Sequence, residues 1–328
     1  TDERNMRDVM QGHDAVLSAV PYYLNVSMAA LAVDLGIHFA DLGGNKAIVE
    51  QQQALAAAAR RNHVGVVPDC GLAPGLVNIV AREAVRRLER CDSLALYVGG
   101  LPQHPEPPLN YTIVYSPEGV IDYYTTPSWV LRHGQPVQVD ALSELESVDF
   151  PPPIGTLEAF HTGGGVSLMP WEFAGQIDTM EYKTLRYPGH AHIMHAIREL
   201  GLLETEPVDV HGVAVVPREA FIATVSPRLR RPEAHDLVAL QVVARGRNGR
   251  TPAAVRFRLL DYYDTEREIS AMMRTTGYSL SITGQMLADG RIAEHGVHPA
   301  YAVTPYEEYV TELARRGITL EELDDAAA

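Results

Sequence analysis

Between Asp14 and about Arg90 the chain alternates short apolar runs with helical segments, the pattern that most narrows its possible folds. Residues 14–20 predict a strand, Tyr23 to Leu35 an Ala-rich helix, and "GIHFADLGG" a second strand. Ile48 to Arg61 predict a second helix, "VGVVPD" a third strand and Leu76 to Leu88 a third helix. Strands separated by helices predict right-handed βαβ units in a parallel sheet. Each strand runs into a turn: Pro21-Tyr22, then Leu42-Gly43-Gly44, then Asp69-Cys70-Gly71. These turns fall at the carboxyl ends of the strands, where open α/β sheets bind ligands. "VVPDCGLAPGLVN" therefore places an acid, Asp69, beside a helix start at Gly75, whose amides are expected to favour a negative partner.

Beyond Arg90 the texture changes. "SLALYVGGLP" predicts a strand, and "VDVHGVAVV", "HDLVALQVVARG" and "PAAVRFRLLDYY" alternate with period two. Asn248-Gly249 marks a hairpin between the last two. Residues 276–289 predict an amphipathic helix returning to the first domain, and the acidic tail "EELDDAAA" is expected to fray. The fold class is thus α/β: a partial Rossmann-like parallel sheet over residues 1–90, an α+β domain with a mainly antiparallel sheet over 91–275, and returning helices over 276–328.

Composition removes several function classes. A formal charge of −15 argues against nucleic acid. No apolar run reaches the roughly 20 residues that cross a bilayer. Two cysteines, Cys70 and Cys91, lack metal-ligand spacing and fit a reduced, cytoplasmic protein. His192 and His195 fall one helical turn apart without a signalled third ligand, so no metal is expected.

"HDAVLSAVPYYLN", "VDLGIHFADLGGN" and "VVPDCGLAPGLVN" resemble the saccharopine dehydrogenase-like oxidoreductases. "LYVGGLPQHPEPPLNYTIVYSPEGVIDYYT", "LEAFHTGGG" and "MEYKTLRYPGHA" look like the lysine 6-dehydrogenases of that family. The resemblance implies NAD(P)-dependent oxidative deamination of an amino acid, with L-lysine first and NAD as cofactor (NADP not excluded), in a homodimer. It also implies contacts. Ser18, Ala19, Val20 and Pro21 would lie against the cofactor's ribose and nicotinamide side, and Gly71, Leu72 and Ala73 match a cofactor-contacting turn. Leu42 and Gly43 would meet substrate near the nicotinamide, and Thr184, Leu185 and Arg186 match a substrate-binding segment. An arginine fork suits a carboxylate.

The chain departs from the family in two places. The Gly-rich dinucleotide fingerprint is absent, which leads to the expectation that on the order of sixty residues belong upstream, by analogy with two-half Rossmann folds. The saccharopine-forming reductases have Y-P-N-R-D where this chain has Phe160-His161-Thr162-Gly163, so Gly163 replaces a carboxylate-holding arginine. That points to a smaller amino acid, unless Arg132, Arg218 or Arg274 substitutes. A reductase of the saccharopine or carboxynorspermidine type and a catalytically incomplete dimerising fragment stand as alternatives.

The general base stays open between His161, tunable near neutrality, and Lys183, if burial lowers its pKa. His190 is placed to orient either. Asp69 is a candidate for a helix cap or a contact to a substrate ammonium, and Asp41 has the same standing.

Overall fold

The structure is a computed structural model describing residues 3–43, 46–231 and 233–323. The first part of the chain runs α1 (Glu3–Met10), β1 (Ala15–Ser18), α2 (Asn25–Leu35), β2 (His38–Asp41), α3 (Lys46–Gln53), α4 (Ala56–Arg61), β3 (Gly65–Val67) and α5 (Leu76–Arg86). Then come β4 (Arg90–Pro102), α6 (Pro117–Thr125), β5 (Ser128–Arg132), β6 (Gln135–Val139), β7 (Glu146–Asp149) and β8 (Thr156–His161). These lead to α7 (Met169–Glu172), β9 (Thr179–Arg186), α8 (His190–Glu199), β10 (Val208–Val210), β11 (Val213–Val215) and α9 (Pro217–Leu229). The chain closes with β12 (Asp236–Asn248), β13 (Thr251–Tyr262), α10 (Ala271–Ala288), β14 (Gly296–Val297), α11 (Ala300–Val303), α12 (Tyr306–Arg315) and β15 (Leu320–Leu323).

The predicted βαβ units form a parallel sheet of order β1-β2-β3-β14. One predicted helix, 48–61, is instead two. At Ala54 and Leu55 the backbone tightens to bonds onto Gln51 and Gln52, three residues back, beside the point where buried Gln52 turns inward to Asp41. Helix ends follow their local chemistry: Gly36 closes α2 in the left-handed region, and Ser116 caps α6 with Pro117 at the first turn.

A nine-stranded sheet carries the rest, ordered β15-β13-β12-β4-β9-β5-β6, with β7 and β8 joining through β9. It is antiparallel except where β4 and β9 run parallel. Helices α5 and α10 pack on one face of this sheet, and α10 also covers β1 and β2, so one apolar core links the two sheets. A second cluster, including Leu101, Leu157, Leu185 and Ala239, lies on the opposite face.

Three expectations change here. "VDVHGVAVV" does not join the large sheet: β10 and β11 pair only with each other, because His211 and Gly212, both at positive φ, fold the segment into its own hairpin. The start of the acidic tail does not fray, since β15 pairs with β13 and Arg258 and Arg87 bind Glu321 and Glu322. Residues 324–328 of that tail lie outside the described residues. Helix α10 begins at Ala271, ahead of the predicted 276, because the Ser270 side chain accepts the Met273 N–H as its cap.

Candidate active site

A cleft of about 670 Å³ opens where the parallel sheet meets the large one, within the size of small-molecule sites. One rim is the three turns after β1, β2 and β3: Ala19, Val20, Pro21 and Tyr22, then Leu42 and Gly43, then Gly71, Leu72, Ala73 and Pro74. The other wall comes from β9 and α6, with Tyr115, Tyr123, Tyr182, Thr184 and Arg186. Six of the seven residues expected at the cofactor thus border one cavity, together with four of the six expected at the substrate.

The turn after β3 works differently from the sequence expectation. The first amides of α5 are not bare: Leu76 and Val77 donate to the carbonyls of Gly71 and Leu72, and Asn78 and Ile79 to that of Gly75. The Gly75 N–H in turn donates to Asn78 Oδ1 at 2.7 Å. With those donors satisfied the helix start offers no anion site, and the turn serves the cleft through its walls. Gly75 is required for this closure, since its φ is +135° and a Cβ would lie 2.1 Å from the Gly71 carbonyl oxygen.

Ser18 does not line the cleft; buried, its Oγ donates to Asn25 Oδ1 at 2.7 Å and ties the loop after β1 to α2. Asp41 is a structural clasp. Its carboxylate accepts Gln52 Nε2 at 2.6 Å and the N–H of Gly43 at 2.7 Å, and burial pushes its pKa up against those bonds. Asp69 is not the cap of α5, whose N-cap is Gly75. It sits at φ +61° with Ser167 Oγ donating to its Oδ2, and it lines a smaller chamber of about 200 Å³ on the far side of Pro74.

β9 explains which remaining candidates reach the cleft. Successive side chains of a strand face opposite ways. Tyr182, Thr184 and Arg186 point to the cleft, while Glu181, Lys183 and Leu185 point to the back of the sheet. Lys183 pairs there with Glu146 at 2.7 Å. His161, its cross-strand neighbour, shares that face, with Nε2 3.2 Å from Glu144 Oε2 and Nδ1 3.2 Å from the Tyr182 carbonyl. Burial lowers the His161 pKa, and nearby Lys183 adds to that. The structure therefore does not bring either base candidate to the cleft, and Leu185 is a core residue of the back face. Glu144, His161 and Glu181 gather as possible metal ligands, but Arg132 already bridges both carboxylates, at 2.6 and 3.0 Å.

Arg186 is the only charged side chain lining the cleft among the described residues. Only 3% exposed, it has no carboxylate oxygen within 4.0 Å among the described residues. Its Nε donates to the Tyr124 hydroxyl at 3.2 Å and its Nη1 to the Leu185 carbonyl at 2.8 Å, and the guanidinium lies 4.8 Å over the Tyr111 ring. His190 stands behind it rather than in the cleft: Nε2 is 2.9 Å from the Tyr124 hydroxyl, and Nδ1 is 3.0 Å from the Leu109 carbonyl. Burial first, and then Arg186, lowers the His190 pKa to about 3. Burial likewise raises Tyr115, Tyr123, Tyr124 and Tyr182, keeping their hydroxyls protonated.

This tyrosine wall is what sequence reasoning missed. A signal was present: four tyrosines fall within residues 111–124, in a chain with 15 Tyr and only 6 Phe. Gly163 forms no arginine-sized gap, since a Cβ there would lie 2.8 Å from Thr126 Cβ. Nor do the substitutes reach the cleft: Arg132 serves the back-face network, Arg218 pairs with Asp122, and Arg274 with Asp261 and Asp264. No helix among the described residues is long and apolar enough to cross a membrane.

Known proteins resemble the chain across both sheets. Residues 1–67 match the saccharopine dehydrogenase NADP binding domain, and residues 71–318 match the saccharopine dehydrogenase C-terminal domain. The mitochondrial alpha-aminoadipic semialdehyde synthase of Rattus norvegicus is 25% identical over 214 residues, covering 62% of this chain. The chain spans 23% of that relative's length. The NADP(+)-dependent, L-glutamate-forming saccharopine dehydrogenase of Saccharomyces cerevisiae is 20% identical, with 98% of this chain and 87% of the relative covered. A solved structure of the L-Glu-forming saccharopine dehydrogenase of that yeast superposes with a TM-score of 0.80 at 18% identity, covering 98% of this chain and 87% of that one. The homospermidine synthase of Legionella pneumophila gives a TM-score of 0.66 at 12% identity, covering 98% and 78%. With the C-terminal domain match alone taking in most of the chain, the protein belongs to the saccharopine dehydrogenase family.

Proposed function

We propose that the chain takes part in NAD(P)-dependent oxidation of an amino-acid amine, with oxidative deamination of L-lysine at its ε-carbon as the specific reaction. The observation that carries this reading is Arg186, a buried guanidinium facing the cleft with no carboxylate partner among the described residues, opposite the three strand-end turns. A cation in that state suits a ligand carboxylate in a bidentate pair. The cleft's chemistry also fits the nicotinamide end of a dinucleotide: apolar side chains and backbone on the rim, with Pro21, Gly71, Leu72 and Ala73 to hold it. Bound there, the nicotinamide supplies a hydride acceptor.

In this reading Arg186 holds the α-carboxylate and directs the aliphatic chain toward Ala19–Pro21 and Leu42–Gly43. Leu72, Val98 and Met272 border the path with apolar surface suited to the aliphatic chain. The substrate ammonium must lose one proton before its carbon can release hydride. No carboxylate, imidazole or lysine amine lines the cleft among the described residues, so that proton passes to solvent at the cleft mouth. Hydride loss leaves an iminium, water adds to its carbon, and ammonia departs to leave the 6-semialdehyde. Much of the rate would come from positioning.

Among the described residues Arg186 is the one arginine on the cleft, which supports a substrate with one carboxylate to anchor and so favours lysine over a secondary amine of the saccharopine type. The homodimer belongs to the same proposal, and light scattering would test it. The activity test is an absorbance assay with L-lysine and either NAD⁺ or NADP⁺, coupled to ammonia determination, on this chain and on a form extended upstream. Reduced cofactor and ammonia in equal amounts, without any 2-oxo acid, support the reading. Turnover only with a 2-oxo acid and reduced cofactor overturns it for a secondary-amine reductase, and silence in both folded forms retires lysine oxidation.

A further inference from the structure

Arg186 is the end of a buried hydrogen-bond chain whose direction can be worked out atom by atom. The Leu109 carbonyl can only accept, so the His190 Nδ1 beside it, at 3.0 Å, carries the hydrogen. With the ring neutral, Nε2 is then an acceptor, and the Tyr124 hydroxyl 2.9 Å away gives it its proton. The same hydroxyl oxygen accepts Arg186 Nε–H at 3.2 Å. Every member is buried, at 3% exposure for Arg186, 1% for Tyr124 and 2% for His190. The imidazole is also wedged by rings, with Phe160 stacked at 6.4 Å and Tyr111 edge-on at 5.4 Å. The depressed His190 pKa agrees with a ring that stays neutral.

This chain consumes donors selectively. A guanidinium has five N–H groups. Nε is committed to Tyr124 and one hydrogen of Nη1 to the Leu185 carbonyl. The lateral Nε–Nη2 edge has therefore lost its Nε donor, while Nη2 has no hydrogen-bond partner among the described residues and Nη1 keeps a second hydrogen.

We propose that Tyr124 and His190 are positioning residues for Arg186, holding it so that a substrate carboxylate can bind only end-on, across Nη1 and Nη2. The proposal rests on the reading of Arg186 as the carboxylate anchor. Neither residue touches substrate, so both act on affinity for the carboxylate and not on the aliphatic or amine parts of the ligand.

The test is calorimetric binding to the full chain with NADH or NADPH present, so that no hydride transfer follows, using two probes: L-lysine and 1,5-diaminopentane, which is lysine without its carboxylate. Tyr124→Phe removes only the hydroxyl and should weaken L-lysine about tenfold, the worth of a hydrogen bond to a charged group, with diaminopentane unchanged. His190→Leu should match it. His190→Gln, whose amide can accept from Tyr124 and donate to Leu109, should restore binding to within about threefold. If His190→Leu does not fold, Tyr124→Phe and His190→Gln still decide the matter. The proposal is overturned, with the anchor intact, if Arg186→Ala loses L-lysine while Tyr124→Phe binds it like the parent. It is also overturned if Tyr124→Phe weakens both probes alike. If Arg186→Ala binds L-lysine undiminished, the anchor reading falls and this proposal with it.

Discussion

The two faces of β9 carry very unequal numbers of charges, a crowded network behind and Arg186 alone in front, and put them to opposite uses. On the back face Lys183 meets Glu146, and Arg132 bridges Glu144 and Glu181 beside His161. Each cation there already has its anion. On the cleft face Arg186 is held by neutral groups, a phenol, a backbone carbonyl and an aromatic ring, and its charge is left for a ligand. A charged residue in a sheet is thus informative about function through its partners: saturation marks scaffold, and incomplete pairing in a cavity marks recognition.

The comparison breaks most sharply through single substitutions. Arg186→Ala should cost about a hundred- to several-thousandfold in kcat/KM for L-lysine, the size expected when a buried charge pair of about 3–5 kcal/mol is lost, and Arg186→Lys should recover little of it. Steady-state kinetics reads this directly, and a loss below tenfold would remove Arg186 from the site. Next in size is Gly43→Ala at the cleft rim. There φ is +65° and a Cβ would lie 1.7 Å from Asp69 Oδ1. A stability loss of about 2–3 kcal/mol in urea is expected from the left-handed backbone and the clash together.

The back face should respond in stability and not in turnover. Lys183→Met leaves Glu146 without its nearest cation and should cost about 1–3 kcal/mol in denaturant unfolding, with kcat/KM within threefold of the parent. A larger kinetic loss in folded protein would give Lys183 back its role as base. A pH slope from His190 tests the neutral ring. Its folded pKa of about 3 lies below the unfolded value of 6.5. Between those values the unfolded chain binds the extra proton, so this residue makes stability rise with pH across the window and level off above it. Urea midpoints from pH 4 to 8, parent against His190→Gln, would show the slope shrink in the variant. Equal slopes would mean that His190 does not stay neutral.

Much of this was legible in the sequence. Strand-helix alternation placed the three turns at Pro21, Gly43 and Gly71, and those turns do share one cavity. The alternation inside "EYKTLR" also held the answer to the base question, because Lys183 and Arg186 differ by an odd number of positions and cannot face the same side of one strand. His161 was harder: its face is fixed by register with Lys183 across β8 and β9, a pairing between distant segments. The helix start at Gly75 misled for another reason. Its amides look bare in sequence, but the turn folds the Gly71 and Leu72 carbonyls back onto them. The route by which Tyr124 and His190 reach Arg186 lay hidden, since β9, α6 and α8 meet only in the folded chain.

The most direct test of the account is a crystal structure of the chain with L-lysine bound. The account predicts the α-carboxylate within hydrogen-bond distance of Arg186 Nη1 and Nη2, and the ε-amine turned toward the turns at Pro21 and Gly43. A lysine seated on the back face beside Lys183 and His161, or one in the cleft with its carboxylate away from Arg186, would contradict it.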